Sequence, residues 1–348
     1  MEDLLVNRRT KPVAFWLLAG VVMIMVQVLL GGITRLTGSG LSITQWDPVI
    51  GALPPLNHQD WIHAFNLYRQ TPQFRLAHPD FTLGDFKSIF FWEYLHRLWA
   101  RLIGVVFLVP FILFLIQKRF NKAMVRPMII LFLLGGLQGL IGWIMVESGL
   151  TGNRVRVDHI RLAVHFIMAL LLLTYTLWFA MTLLVPGARR IHKPGLKGLL
   201  ATILAVLTIQ LTYGAFMAGL HAALDAPTWP DMNGHAVPAA LFRTPSALTD
   251  DPLTVQFIHR GIAYLILGLV IAWSLKAKGI PRGPRFLPLA VVLLQALLGI
   301  LTVMGSRIRI PIFLAVSHQF VAMLVLITMV WTWYLITGKA AVPVAGAG

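Results

Sequence analysis

The sequence contains no cysteine. Disulfides, thiolate-ligated haem, iron–sulfur clusters and cysteine nucleophiles are therefore excluded. Charge is nearly as scarce. Charged residues make up 12% of the 348 positions and hydrophobic ones 57%, whereas a soluble domain carries about a quarter charged residues. So little charge cannot cover a water-facing surface, which excludes a soluble enzyme, and so much apolar side chain excludes disorder. Acid is the scarcest charge of all, 13 Asp and Glu against 29 Lys and Arg, leaving a formal charge of +16.

The location of the excess base decides what it means. Eight apolar stretches are long enough to cross a hydrocarbon core, near 14–33, 94–116, 127–146, 160–184, 197–219, 254–275, 286–304 and 312–335. In the third, Gly135, Gly136, Gly139 and Gly142 dilute the hydropathy and allow close helix approach. One set of short segments collects Arg8, Arg9 and Lys11, then Lys118, Arg119, Lys122 and Arg126, then Arg189, Arg190, Lys193 and Lys197. Lys276, Lys278, Arg282, Arg285 and Lys339 complete it, opposed only by Glu2 and Asp3. By the positive-inside rule these segments and both termini are cytoplasmic. The charge therefore expresses topology and attraction to membrane lipid rather than nucleic-acid binding. The polar start MEDLLVNRRTK and the long first apolar run indicate a retained first helix rather than a signal peptide.

The opposite side carries two long loops, about 34–90 and about 220–253, and WIHAFNLYRQ (61–70) in the first has the apolar spacing of a short interfacial helix. The fold expected is an all-α polytopic membrane protein of eight transmembrane helices, arranged as two pseudo-symmetric four-helix bundles. Residues 1–190 form one half and 191–348 the other.

A repeat underlies that division. Each odd-numbered span holds a Gln followed four residues later by a Gly: Gln27/Gly31, Gln138/Gly142, Gln210/Gly214 and Gln295/Gly299. Each even-numbered span holds one histidine near its outer end: His96, His165, His259 and His318. The Gln–Gly pattern is read as architecture, a small residue for packing and an amide for an interhelical hydrogen bond. Four imidazoles at one depth point instead to chemistry, because ionisable groups in spans are costly and imidazoles on facing helices are how bundles hold metals and haem. Pairs His96 with His165 and His259 with His318 would each grip one iron. No third ligand recurs with them, which favours haem over a bare ion. Arg97, Arg260, Arg161, Arg307 and Arg309 are candidate donors to propionates.

The halves differ three residues before the first histidine of each pair: Glu93 precedes His96, but Gln256 precedes His259. Glu93 could act as a general base or stabilise positive charge on a bound macrocycle, or it could simply pair with Arg97 at i, i+4. The other histidines (His58, His63, His78, His159, His192, His221 and His235) lie in loops or at loop edges, where most are expected to be solvated, and the 13 methionines are expected to serve packing.

At these residues the chain resembles the haem A synthase family. GGITRLTGSGLSITQW (31–46), PPLNHQDWIHAFNLYRQTPQF (54–74) and FTLGDFKSIFFWEYLHRLWAR (81–101) carry the likeness. GLQGLIGWIMVESGL (136–150), RLAVHF (161–166), FIHR (257–260) and SHQ (317–319) extend it over nearly the whole length. Without outer-loop cysteines it is similar to the alphaproteobacterial and mitochondrial branch. It departs at Gly38, where many members carry Glu, and in AGLHAALDAPTWPDMNG (218–234), which follows the family pattern only at its start.

The resemblance implies oxidation of the C8 methyl of haem O to a formyl group, giving haem A for terminal oxidases, by successive hydroxylation and loss of water. It implies a haem b held by His259 and His318, a substrate haem facing His96 and His165 with Glu93 alongside, and a bacterial inner-membrane location. The implied partners are a haem O synthase, oxidase assembly factors and an electron acceptor. Two rival classes use the same histidines: a di-haem b cytochrome moving electrons between a quinol and a partner, and a haem carrier.

Overall fold

A computed structural model describes residues 10–45, 53–185, 190–239 and 241–338. Glu2, Asp3, Arg8, Arg9, Trp46, Arg189 and Lys339 lie outside the described residues. In chain order the helices are α1 (Lys11–Leu36), α2 (His58–Arg69), α3 (Pro72–Ala77), α4 (Leu83–Ile116), α5 (Lys122–Leu150) and α6 (His159–Leu184). There follow α7 (Pro194–Leu220), α8 (Ala247–Asp250), α9 (Pro252–Lys276), α10 (Arg282–Gly305) and α11 (Ile312–Ile336). Among the described residues there is no named strand, and eight helices are long and apolar enough to cross a membrane: α1, α4, α5, α6, α7, α9, α10 and α11.

Each expected span is present, and each helix runs past its sequence-estimated bounds at one end or both. The largest difference is α4, which starts at Leu83 rather than near 94. Hydropathy marks only the stretch that crosses the membrane, whereas the helix is nucleated earlier by a capping box. Thr82 Oγ1 accepts from the Asp85 amide, and Asp85 Oδ2 accepts from the Thr82 amide at 2.9 Å. Asn121, Asp158 and Asp251 cap α5, α6 and α9 in the same way, each side chain accepting from amides of the first turn.

The added turns of α4 carry the long first loop. Phe86, Ile89 and Phe90 bury themselves against Tyr68 and the half-buried Trp61, Phe65 and Phe74. The expected helix at 61–70 is α2, starting at Asn57's cap, and α3 follows it. Gln73 is buried and donates to the Gly38 carbonyl at 3.0 Å, tying this subdomain to the end of α1. Gly38 sits at φ +67, where a side chain is strained.

Below the loops, α1 is the central helix, packed on α4, α6 and α11. The largest core cluster draws Val21, Leu173, Leu207, Val270, Val292 and Met329 from α1, α6, α7, α9, α10 and α11. The described residues of the two halves thus share one apolar interior. Gln319 on α11 donates to the Val28 carbonyl of α1 at 2.9 Å, and a Cβ on Gly32 would collide with its amide.

Phe86 is fully buried where four aromatic neighbours meet. Replacing it with alanine should cost about 3–5 kcal/mol of local stability and expose the first loop. Limited proteolysis should then cut within 53–82 before any membrane-spanning helix is degraded; wild-type resistance of that loop would contradict the packing described.

Candidate functional site: four imidazoles around one chamber

The Gln–Gly pattern and the histidines turn out to be one device. On α1, α5, α7 and α10 the glutamine and glycine of each pair face the histidine of α4, α6, α9 and α11 respectively. Gln27 Nε2 lies 3.2 Å from the His96 ring nitrogens, and Gln138 Nε2 lies 3.2 Å from His165 Nδ1. Gln210 Nε2 lies 3.4 Å from His259 Nε2, and Gln295 Nε2 lies 3.2 Å from His318 Nε2. The glycine provides room for the ring. A Cβ would stand 3.1 Å from His96 Cε1 if added at Gly31, 2.8 Å from His165 Cε1 at Gly142, and 2.9 Å from His318 Cε1 at Gly299. At Gly214 the gap to His259 Cε1 would be 3.4 Å. The interhelical hydrogen bond expected of the pattern is present, and its partner is the imidazole itself.

All four histidines line a single cavity of about 1400 Å³, beyond the roughly 300–1,000 Å³ of a one-ligand pocket. His96 and His165 lie within electrostatic reach of each other, as do His259 and His318. The wall is overwhelmingly apolar, and among the described residues no group of three His, Asp or Glu is placed to hold a bare ion.

The orphaned atoms fit a pair of tetrapyrrole irons. Oε1 of Gln27, Gln138, Gln210 and Gln295 is buried without a hydrogen-bond partner, as is Nδ1 of His259. A metal-bound imidazole keeps a proton on its other nitrogen and needs an acceptor for it, and an amide turned end for end supplies that acceptor. At His318 the same residue meets both ring nitrogens: Nδ1 also lies 3.1 Å from the Gln295 backbone carbonyl, which can accept its proton in a hydrogen bond.

Glu93 lines the chamber and is 3% exposed, with both oxygens engaged. Oε1 pairs with Arg97 at 2.6 Å; Oε2 accepts from the Ser42 amide and hydroxyl, both at 2.7 Å, and from the Ile43 amide at 3.0 Å. Arg97 also donates to the Ile43 and Gln45 carbonyls. In the other half Gln256 and Arg260 do the parallel work, both donating to the Ala226 carbonyl, while Arg260 adds that of Asp231. The residues flanking each first histidine therefore fasten a loop over the chamber. A carboxylate is required where the loop offers N–H groups, and an amide where it offers carbonyls.

Arg161, Arg307 and Arg309 do not line the chamber: Arg161 reaches the Ile144 carbonyl, and the other two are exposed. Arg35, Arg156 and His221, from three distant segments, line its mouth instead. Arg35 donates to the Ala218 carbonyl of α7. His221 closes α7 in the left-handed conformation (φ +56) with its Nδ1 buried and unpartnered. Four of the seven histidines of the loops and loop edges have partners or partial burial: His78 bonds Tyr68 at 2.8 Å, His159 lies 3.2 Å from Asp250, His192 bonds the Gly338 carbonyl, and His221 is half-buried. Each is drawn in by a neighbour remote in sequence.

A sequence model of the family described as cytochrome oxidase assembly protein, COX15-CtaA, matches residues 14–330. The chain belongs to the COX15-CtaA family. A protein named heme A synthase from Parvibaculum lavamentivorans is 43% identical over 92% of this chain and 92% of its own. Those of Rhodospirillum centenum and Flavobacterium psychrophilum, also named heme A synthase, are 42% and 38% identical over 94% and 93% of this chain, and over 88% and 98% of their own. With eight long apolar helices, this member of the COX15-CtaA family is a multi-pass protein of the bacterial inner membrane.

Burial, then the charges of Arg35 and Arg156, push the His221 ring down from 6.5 to about 4. The unfolded chain therefore binds a proton between those values that the folded chain refuses. This contribution to stability is complete above pH 6.5 and is lost as the pH falls toward 4. His221→Asn, which tolerates the left-handed backbone, should flatten the acid side of a thermal-unfolding profile in detergent; an unchanged slope would place the ring in water.

Proposed function

We propose that the chain is a haem A synthase, oxidising the C8 methyl of haem O to a formyl group to yield haem A, with water as the oxygen source and a separate electron acceptor taking the four electrons released. The observation that carries this is the set of four imidazoles, each wedged by a Gln–Gly turn around one apolar chamber, together with membership of a family whose curated relatives bear that name. In this reading residues 191–348 hold a resident haem b through His259 and His318, and residues 1–190 hold the substrate between His96 and His165. A bound haem b supplies one-electron redox chemistry beside the substrate. With both termini in the cytoplasm, as the Lys and Arg distribution requires, the mouth of the chamber faces the outer side.

The chain's own groups divide the remaining tasks. Each glutamine fixes the orientation of its histidine and accepts a hydrogen bond from the ring N–H that faces away from iron. Arg35 and Arg156 supply the donors that tetrapyrrole carboxylates need at the mouth. Glu93, held in place by Ser42, Ile43 and Arg97, keeps a fixed negative charge beside His96 to offset positive charge as the methyl is oxidised. Its loop contacts make it a stabiliser and an anchor together. The apolar walls limit water to what the hydroxylation consumes.

A purely electron-carrying cytochrome would use the four histidines but would leave haem O unchanged. Expressing the chain with a haem O synthase and extracting the pigments tests this. Haem A is expected; protohaem alone would support the cytochrome, and haem O recovered intact a carrier. In the same cells Glu93→Gln should reduce haem A by about tenfold or more, because it removes the buried charge and part of the loop clasp. Parental yield would reduce Glu93 to scaffolding.

A further inference from the structure

α4 and α5 belong to the half that carries His96 and His165, yet they pack on α1 and α6 and at most marginally on each other. Past Glu93 no residue of α4 is buried, and none of α5 is buried from Phe132 to Glu147. The slot between them is continuous with the chamber, because Gly104 and Leu108 of α4 and Phe132, Gly135 and Gly139 of α5 line the cavity. Leu108 is 50% and Phe132 65% exposed, so the cavity opens sideways here. The glycines do not serve close packing, since a Cβ on Gly104, Gly135 or Gly139 meets nothing within 4 Å.

In the other half α9 and α10 pack directly together. The register explains the difference. Gly104 stands eight residues after His96, and the same place after His259 is Leu267. Gly135 and Gly139 stand seven and three residues before Gly142, and the same places before Gly299 are Val292 and Ala296. Val292 is part of the main core, and Leu267 packs against it. The bulk that stands at these places in the second half is absent from the first.

The slot runs from the level of the imidazoles about 12 Å toward the membrane interior, at about 1.5 Å per helical residue. Its occupant must be apolar, must reach it from the lipid, and must be attached to something lying in the chamber. A free acyl chain or a neighbouring copy's helix satisfies the first two conditions only. We propose that the slot between α4 and α5 receives the isoprenoid tail of haem O, so that the substrate is admitted sideways from the membrane and told apart from the tail-less haem b by that tail. This rests on the synthase reading above and assigns its substrate selectivity to three glycines.

The test gives the first half the second half's own residues, combining Gly104→Leu, Gly135→Val and Gly139→Ala. Haem O and protohaem are titrated separately into purified protein and followed by Soret difference spectra. Affinity for haem O should fall by about tenfold or more, equivalent to about 1.4 kcal/mol, with protohaem uptake and thermal transition unchanged. Haem O affinity within about twofold of wild type, or an equal loss for both haems, would overturn the proposal. Should the triple variant fail to fold, a haem bearing a photoreactive farnesyl group decides with the wild-type chain. Labelling within 100–108 and 132–139 supports the slot, and labelling confined to other helices refutes it. Failure of the synthase reading shows separately, as absence of haem A from wild-type cells supplied with haem O.

Discussion

The structure depends on one contact made four times: an imidazole pressed into the gap that a glycine leaves on the neighbouring helix, with a glutamine amide one turn away. An imidazole at membrane depth is expensive unless its polar atoms are met. The glutamine meets them without adding charge, and the glycine lets the ring sit between helices rather than against lipid. At Gly142 and Gly299 there is no room for even a methyl group, since it would approach the ring within 3 Å. Because the contact recurs on alternate helices, it also sets the level at which the four rings lie and the chamber that they share.

A second constraint acts above that level. The residues flanking His96 and His259 bind loop backbone, so that a histidine on a rigid helix and the cover over the chamber are positioned by the same turn. The Glu93 and Gln256 difference then has a local cause in the polarity of the loop groups each meets. That cause is compatible with chemistry, because a carboxylate held by three donors and an arginine is a fixed charge that need not reorganise during reaction.

Much of this was legible in the sequence. The spans were visible from hydropathy, and the histidines from their common depth on alternate spans. The Gln–Gly pattern was visible as a pattern but its partner was not, since which face of a helix meets which neighbour depends on packing. The early start of α4 escaped because the Thr82–Asp85 cap precedes the apolar run, and a hydropathy window begins where the membrane does. Arg35, Arg156 and His221 left no local signal at all. They come from the end of α1, the loop before α6 and the end of α7, and only the packing of those helices brings them together. Of the four glycines of the third span, Gly142 makes the close approach expected, while Gly135, Gly136 and Gly139 border open space.

The central claim is that paired imidazoles grip porphyrin iron within the helices. Electron paramagnetic resonance of the purified chain, compared with His259→Ala and His318→Ala, tests it most directly. A low-spin signal with two imidazole ligands should be present in the wild type and lost in both variants. Its persistence in both, or a wild-type chain that folds in the presence of haem and stays colourless, would contradict the account.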